Sequence, residues 1–145
     1  MTLFELTRTL IDIPSVSGEE REVGLFLASH LEGLGYAVEL QEVEAGRANV
    51  LAWRGAGARV VLSTHMDTVP PFIASGEDGE AIYGRGACDA KGIIAAQIFA
   101  AERLRAEGFE EVGLLFTVDE ELGSLGGRAA NSHPLAARCE YLVNR

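Results

Sequence analysis

Two apolar runs constrain the fold most: Val60-Val61-Leu62 and Val112 to Val118, with a long, mostly apolar stretch from Ala90 to Ala106 between them. A strand that is apolar at successive positions hides both faces, as in a sheet covered on two sides. The stretch between them is too long for a strand and closes at Gly108, so it reads as a helix. Strands of this kind alternating with helices imply an α/β layer architecture.

The other elements are shorter. Residues 3 to 12 predict a helix that ends at Ile13-Pro14, because the residue before a proline disfavours the helical region. Ser15 to Glu20 form a turn into a second helix, with Ser17 as candidate N-cap and Glu20 three residues on in the capping-box pattern. That helix runs to about Leu34 and stops at Gly35. Its apolar stripe is expected to be core. Tyr36 to Val43 alternates like a half-buried strand. Asn49 to Trp53 and Arg59 to Ser63 follow as strands, with Gly55-Ala56-Gly57 between them as a hairpin-like break. Residues 70 to 80 form a loop, a short helix follows Glu121, and Tyr141-Leu142-Val143 starts a last strand.

Composition narrows the function. The 145 residues fit one domain, and 48% hydrophobic content supports a core. A net charge of −10 argues against nucleic acid and anionic membranes, which select basic patches. No apolar run reaches the roughly 18 residues of a membrane helix, and the N-terminus does not read as a signal peptide. Two cysteines, Cys88 and Cys139, are too few for a disulfide framework, so a cytoplasmic location is expected.

Three polar clusters are expected at strand ends, where open α/β sheets collect ligands. His65-Met66-Asp67 places an imidazole and a carboxylate on one side of extended backbone. Asp67 could then hold the second ring nitrogen of a metal-bound His65. Alone, the spacing also fits a polar strand end. Gly84-Arg85-Gly86-Ala87-Cys88-Asp89-Ala90-Lys91-Gly92 leads into the long helix, where Asp89 reads most simply as an N-cap and alternatively as a metal-bridging carboxylate. A dinucleotide fingerprint is excluded, since Asp89 occupies the third glycine position. Asp119-Glu120-Glu121 gathers three carboxylates whose repulsion either a solvated turn or a divalent cation relieves.

Taken in order, these clusters and the turn Pro14 to Glu20 resemble the M20 family of metallopeptidases and aminoacylases, the group of acetylornithine deacetylases and succinyl-diaminopimelate desuccinylases. The resemblance covers nearly the whole chain. It implies the N-terminal part of a catalytic domain: three layers, α/β/α, around a mostly parallel mixed sheet. It implies two metals, usually zinc, with cobalt or manganese as alternatives. His65 would bind one, Asp89 would bridge both, and Glu121 would bind the other. Glu120 would be the general base and Asp67 a supporting carboxylate. A cis peptide is implied at Asp89-Ala90. The reaction would be hydrolysis of a peptide or N-acyl amino acid, a small-molecule substrate.

Other polar residues carry milder expectations. Arg85 and Lys91 are read as structural salt bridges, Cys88 as a buried structural thiol, and Cys139, His30 and His133 as packing or surface residues. The family pattern also calls for a further acidic ligand and a late histidine, and Cys139 to Asn144 resembles the strand leading to that acid. Glu140 lies too early on it to substitute. A lid domain, which carries dimerisation in many relatives and makes a homodimer possible for a longer parent, is not recognisable. These residues alone are therefore expected to show an exposed sheet edge, weak or single-site metal binding and little turnover. The competing reading is an inactive remnant or interaction module that keeps the fold.

Overall fold

The computed structural model describes residues 1–145. Helix α1 spans Leu3–Asp12. It opens on a capping box not singled out above: Thr2 Oγ1 accepts the Glu5 N–H, and the Glu5 carboxylate accepts the Thr2 N–H. Helix α2 spans Arg21–Gly33, but the expected box at its start does not form. Glu20 takes the N-cap position with no side-chain cap bond, and Ser17 Oγ donates to Asp67 Oδ2 at 2.7 Å instead. The helix starts too late for Ser17 to cap it, and its hydroxyl is free to make a strong bond to an ionised carboxylate.

The main sheet has five strands: β1 (Ala37–Glu44), β2 (Arg47–Trp53), β3 (Val60–His65), β6 (Val112–Thr117) and β7 (Tyr141–Asn144). A separate ribbon pairs β4 (Gly76–Glu77) with β5 (Ile82–Tyr83). The five lie in the order β1-β2-β6-β3-β7. The sheet is mixed: β1 pairs β2 and β2 pairs β6 antiparallel, while β3 is parallel to both β6 and β7. The turn of the β1–β2 hairpin falls at Ala45-Gly46. Gly55-Ala56-Gly57 is not a hairpin, because β6 lies between β2 and β3. The reason is burial: β3 and β6 carry the continuous apolar runs and take adjacent interior positions, joined through helix α3 (Lys91–Ala106).

Alternate residues of the sheet face opposite sides. Val50, Ala52, Leu62, Val112, Leu114 and Phe116 pack against α1, α2 and α3 through Leu6, Leu10, Leu27, Leu31, Ile94 and Ile98. Burying each such large side chain contributes about 1.5–3 kcal/mol. On the other side, Leu51, Val61, Leu115 and Leu142 face helix α4 (Leu125–Asn131) and the 3₁₀ turn Pro134–Arg138 across a cavity of about 210 Å³. The result is three layers, α/β/α. Strand β7 pairs only with β3 and leaves Tyr141, Leu142 and Val143 exposed, as expected of an outer edge. No helix is long and apolar enough to cross a membrane.

Gly92 shows how closely the loop before α3 packs. A Cβ there would overlap the Ala87 carbonyl oxygen, which is backbone and cannot swing away. Gly92→Ala is expected to destabilise the chain by about 2–3 kcal/mol, read as a lower urea midpoint at unchanged slope. An unchanged midpoint would contradict this packing.

Candidate metal centre

Three elements deliver the polar clusters to one rim of the sheet. β3 and β6 are parallel with His65 opposite Thr117, so His65-Met66-Asp67 and Asp119-Glu120-Glu121 leave the sheet side by side. Met66 N–H donates to the Thr117 carbonyl at 2.8 Å and continues that pairing past the strand end. The third element is the loop before α3, which carries Asp89. Asp89 does not cap α3, since Ala90 holds the N-cap position. Its side chain is 72% exposed, and its Oδ1 lies 2.9 Å from His65 Nε2. The Asp89–Ala90 peptide is cis, as the resemblance implies.

One ligand atom each from His65, Asp89 and Glu121 lies within 4.8 Å of the others. An imidazole nitrogen with two carboxylates is a donor set that suits zinc, cobalt or manganese, and the residues present fit a divalent cation. Glu120 Oε2 lies 3.9 Å from His65 Nε2, with the glutamate side chain 54% exposed. It borders the cluster without belonging to it.

Asp67 organises the rim from behind. It is fully buried. His65 Nδ1 lies 3.0 Å from its carbonyl oxygen and 3.3 Å from its Oδ1. Its carboxylate also accepts the backbone N–H groups of Glu120 and Glu121, each at 3.0 Å, and the Ser17 hydroxyl. One side chain therefore fixes the imidazole and the backbone of both glutamates.

These contacts set the titration. Burial alone would pull the His65 imidazolium down, but the bonds to Asp67 and Asp89 outweigh it and push the pKa up to about 9. Burial would raise Asp67, yet its bonds from His65, Ser17 and the two backbone amides hold it at about 2. Burial raises Glu121 above its ordinary value, and the facing carboxylates of Asp89, Asp67 and Glu120 add to that against the pull of His65. The stability carried by His65 is complete below its ordinary 6.5 and is lost as pH rises through about 9. That carried by Asp67 is complete above its ordinary 3.8 and is lost as pH falls through about 2. Urea midpoints of the metal-free chain are therefore expected to be highest between 3.8 and 6.5 and to fall from 6.5 toward about 8, above which deprotonation of the buried Lys91 opposes the His65 loss. A midpoint that stays flat from 6.5 to 8 would contradict the His65 contacts.

Several polar residues sit differently from expectation. Lys91 makes no salt bridge. It is 1% exposed, its Nζ donates to the Ile13 carbonyl, and burial lowers its pKa to about 8. Arg85 likewise donates to carbonyls, those of Pro70 and Pro71. In both cases backbone oxygens, not carboxylates, meet the cation: the end of α1 for Lys91 and the Pro70-Pro71 segment for Arg85. Cys88 is exposed, not buried, because the loop turns it outward next to Asp89. His133 caps the 3₁₀ turn and meets Glu39, His30 stacks on Phe26, and Glu140 pairs with Arg59. Asp119 does not join the exposed carboxylates: it turns inward, 3.1 Å from the Arg47 guanidinium, which also holds the buried Glu20. Sequence reasoning missed the links from Ser17 to Asp67 and from Glu20 through Arg47 to Asp119, because these partners are distant in sequence and no local pattern joins them.

A model of the peptidase family M20/M25/M40 matches residues 61–143, more than half of the chain. The chain belongs to this family. A peptidase M20 domain-containing protein of Schizosaccharomyces pombe is 45% identical over 132 residues, covering 86% of this chain and 33% of the relative. A probable carboxypeptidase of Emericella nidulans is 46% identical over 136 residues, covering 86% of this chain and 32% of the relative. The chain thus spans about a third of the length of these curated relatives. Its fold is that of human carnosine dipeptidase 1, with a TM-score of 0.81 at 21% identity, over 98% of this chain and 38% of that one.

Proposed function

We propose that this chain is the N-terminal, metal-binding part of a catalytic domain that hydrolyses an amide bond, in a peptide or an N-acyl amino acid, with zinc as the preferred metal. The convergence of His65, Asp89 and Glu121 at one sheet rim is the observation that carries the reading. Family membership and the relatives described as probable carboxypeptidases support a small substrate with a peptide-like bond. The two unpaired thiols, Cys88 and Cys139, are consistent with action in the cytoplasm.

Two divalent cations would supply Lewis-acid polarisation of the scissile carbonyl and make an attacking water acidic. His65 and Asp89 would hold one, Asp89 and Glu121 the other. Asp67 keeps the His65 ring in place by accepting from Nδ1, which leaves Nε2 as the ligand atom. Glu120 is exposed and borders the cluster, so its carboxylate can take the proton from the attacking water. It then gives that proton to the leaving amine nitrogen, and the carboxylate is regenerated.

The test is reversible metal dependence. Zinc-loaded protein is assayed at high concentration and over long incubations on dipeptides and N-acetyl amino acids. Removing metal with a chelator is expected to abolish hydrolysis, and zinc to restore it. Activity that survives the chelator, or no metal uptake at all, would overturn the reading; uptake without any hydrolysis would favour the inactive remnant.

A further inference from the structure

Behind the rim lies a buried ionic group that the proposed chemistry does not use. Glu20 is 1% exposed, and its carboxylate receives Arg47 Nε at 2.8 Å and Nη2 at 2.6 Å. The same Nη2 reaches Asp119 Oδ1 at 3.1 Å, and Nη1 reaches the half-exposed Glu44 at 2.6 Å. Arg47 is the one cation among three carboxylates, two of them almost fully buried. A planar guanidinium can bridge them as a lysine ammonium cannot.

Asp119 links this group to the site. It directly precedes Glu120 and Glu121 and adopts a left-handed backbone, φ 64°. A short polar side chain tolerates that region when it bonds locally. Here Asp119 Oδ2 accepts the N–H groups of Gly123 and Leu125, while its carbonyl accepts those of Gly123 and Ser124. The turn 119–125 is thus wound around one carboxylate, and Arg47 anchors that carboxylate. From the opposite side, Asp67 holds the Glu120 and Glu121 amides.

We propose that Glu20 and Arg47 are positioning residues: acting through Asp119, they hold the left-handed turn that aims Glu121 at the metal and Glu120 at the attacking water. The inference rests on the metallohydrolase reading for its purpose but not for its geometry. Neither residue touches the metal ligands. Glu20 comes from the N-terminal turn and Arg47 from β2, so the pair ties the start of the chain to the catalytic turn. Neutralising Glu20 would loosen the two-point hold that orients the Arg47 guanidinium, and with it the placement of the Asp119 carboxylate that Arg47 meets.

Glu20→Gln in the full chain is the deciding variant, because it keeps shape and removes charge. Amide hydrogen exchange is followed by NMR without metal, comparing Glu120 and Glu121 with Leu114 and Phe116 of β6. The expected result is exchange about tenfold or more faster at Glu120 and Glu121, with the β6 amides nearly unchanged. A uniform acceleration would mean a stability role only and overturn the proposal, as would no change. Zinc affinity, measured by competition with a chromophoric chelator, is expected to weaken about tenfold or more, and an affinity within about twofold of the parent also overturns it. If the parent takes up no zinc, the metallohydrolase reading fails, while the exchange comparison still decides whether the pair holds the turn. Should Glu20→Gln not fold, Arg47→Lys is read in the same two ways.

Discussion

Glu120→Gln is expected to lower amide hydrolysis by about 10²–10⁴-fold while leaving zinc uptake essentially unchanged. The asymmetry follows from position. Glu120 lies 3.9 Å from His65 Nε2, outside the cluster formed by His65, Asp89 and Glu121. The amide has nearly the shape of the carboxylate but cannot take a proton at neutral pH. Its backbone N–H still donates to Asp67, so the turn keeps its form. The change should fall on kcat if Glu120 is the proposed base, because it would then act on the attacking water and not on the bound substrate. An equal loss of metal and activity would mean that Glu120 is a ligand, and no loss would mean that the base lies elsewhere.

The second large effect is expected at Asp67. Its Oδ1 accepts the Glu120 amide and its Oδ2 accepts the Glu121 amide and the Ser17 hydroxyl. In Asp67→Asn the new NH₂ group faces one of those N–H donors whichever way the amide is turned. A buried donor against a donor leaves both unsatisfied, and His65 loses the charge beside Nδ1. The expected cost is about 3 kcal/mol in urea unfolding at pH 7, together with a 10–100-fold loss of zinc affinity. Both follow from one residue because the same carboxylate holds the fold's rim and the ligand's orientation. A variant of parental stability and parental zinc affinity would remove Asp67 from the account.

The site was legible in the sequence where its parts were local. His65 and Asp67 are two apart on extended backbone, and Glu120 and Glu121 follow a buried apolar run, so the strand ends marked them in advance. Asp89 was ambiguous from its own neighbourhood, since an aspartate before a helix is ordinarily a cap. Only its place in the ordered set singled it out. What misled was also local. Ser17 and Glu20 match a capping box, yet their side chains go to Asp67, 50 residues on, and Arg47, 27 residues on. Gly55-Ala56-Gly57 looks like a hairpin because adjacency in sequence suggests adjacency in the sheet. The insertion of β6 between β2 and β3 depends on which strands can bury both faces, a property of the whole sheet. Cys88 illustrates the same limit: thiols are usually buried, but the turn before α3 faces this one outward.

Anomalous diffraction at the zinc edge, from crystals of the chain grown with zinc, locates the ion itself. A peak is expected within about 2.0–2.2 Å of a carboxylate oxygen of Asp89 and of His65 Nε2, the Glu121 carboxylate or both. Zinc bound only elsewhere, for example between His133 and Glu39 or on Cys88, with none at Asp89, would contradict it.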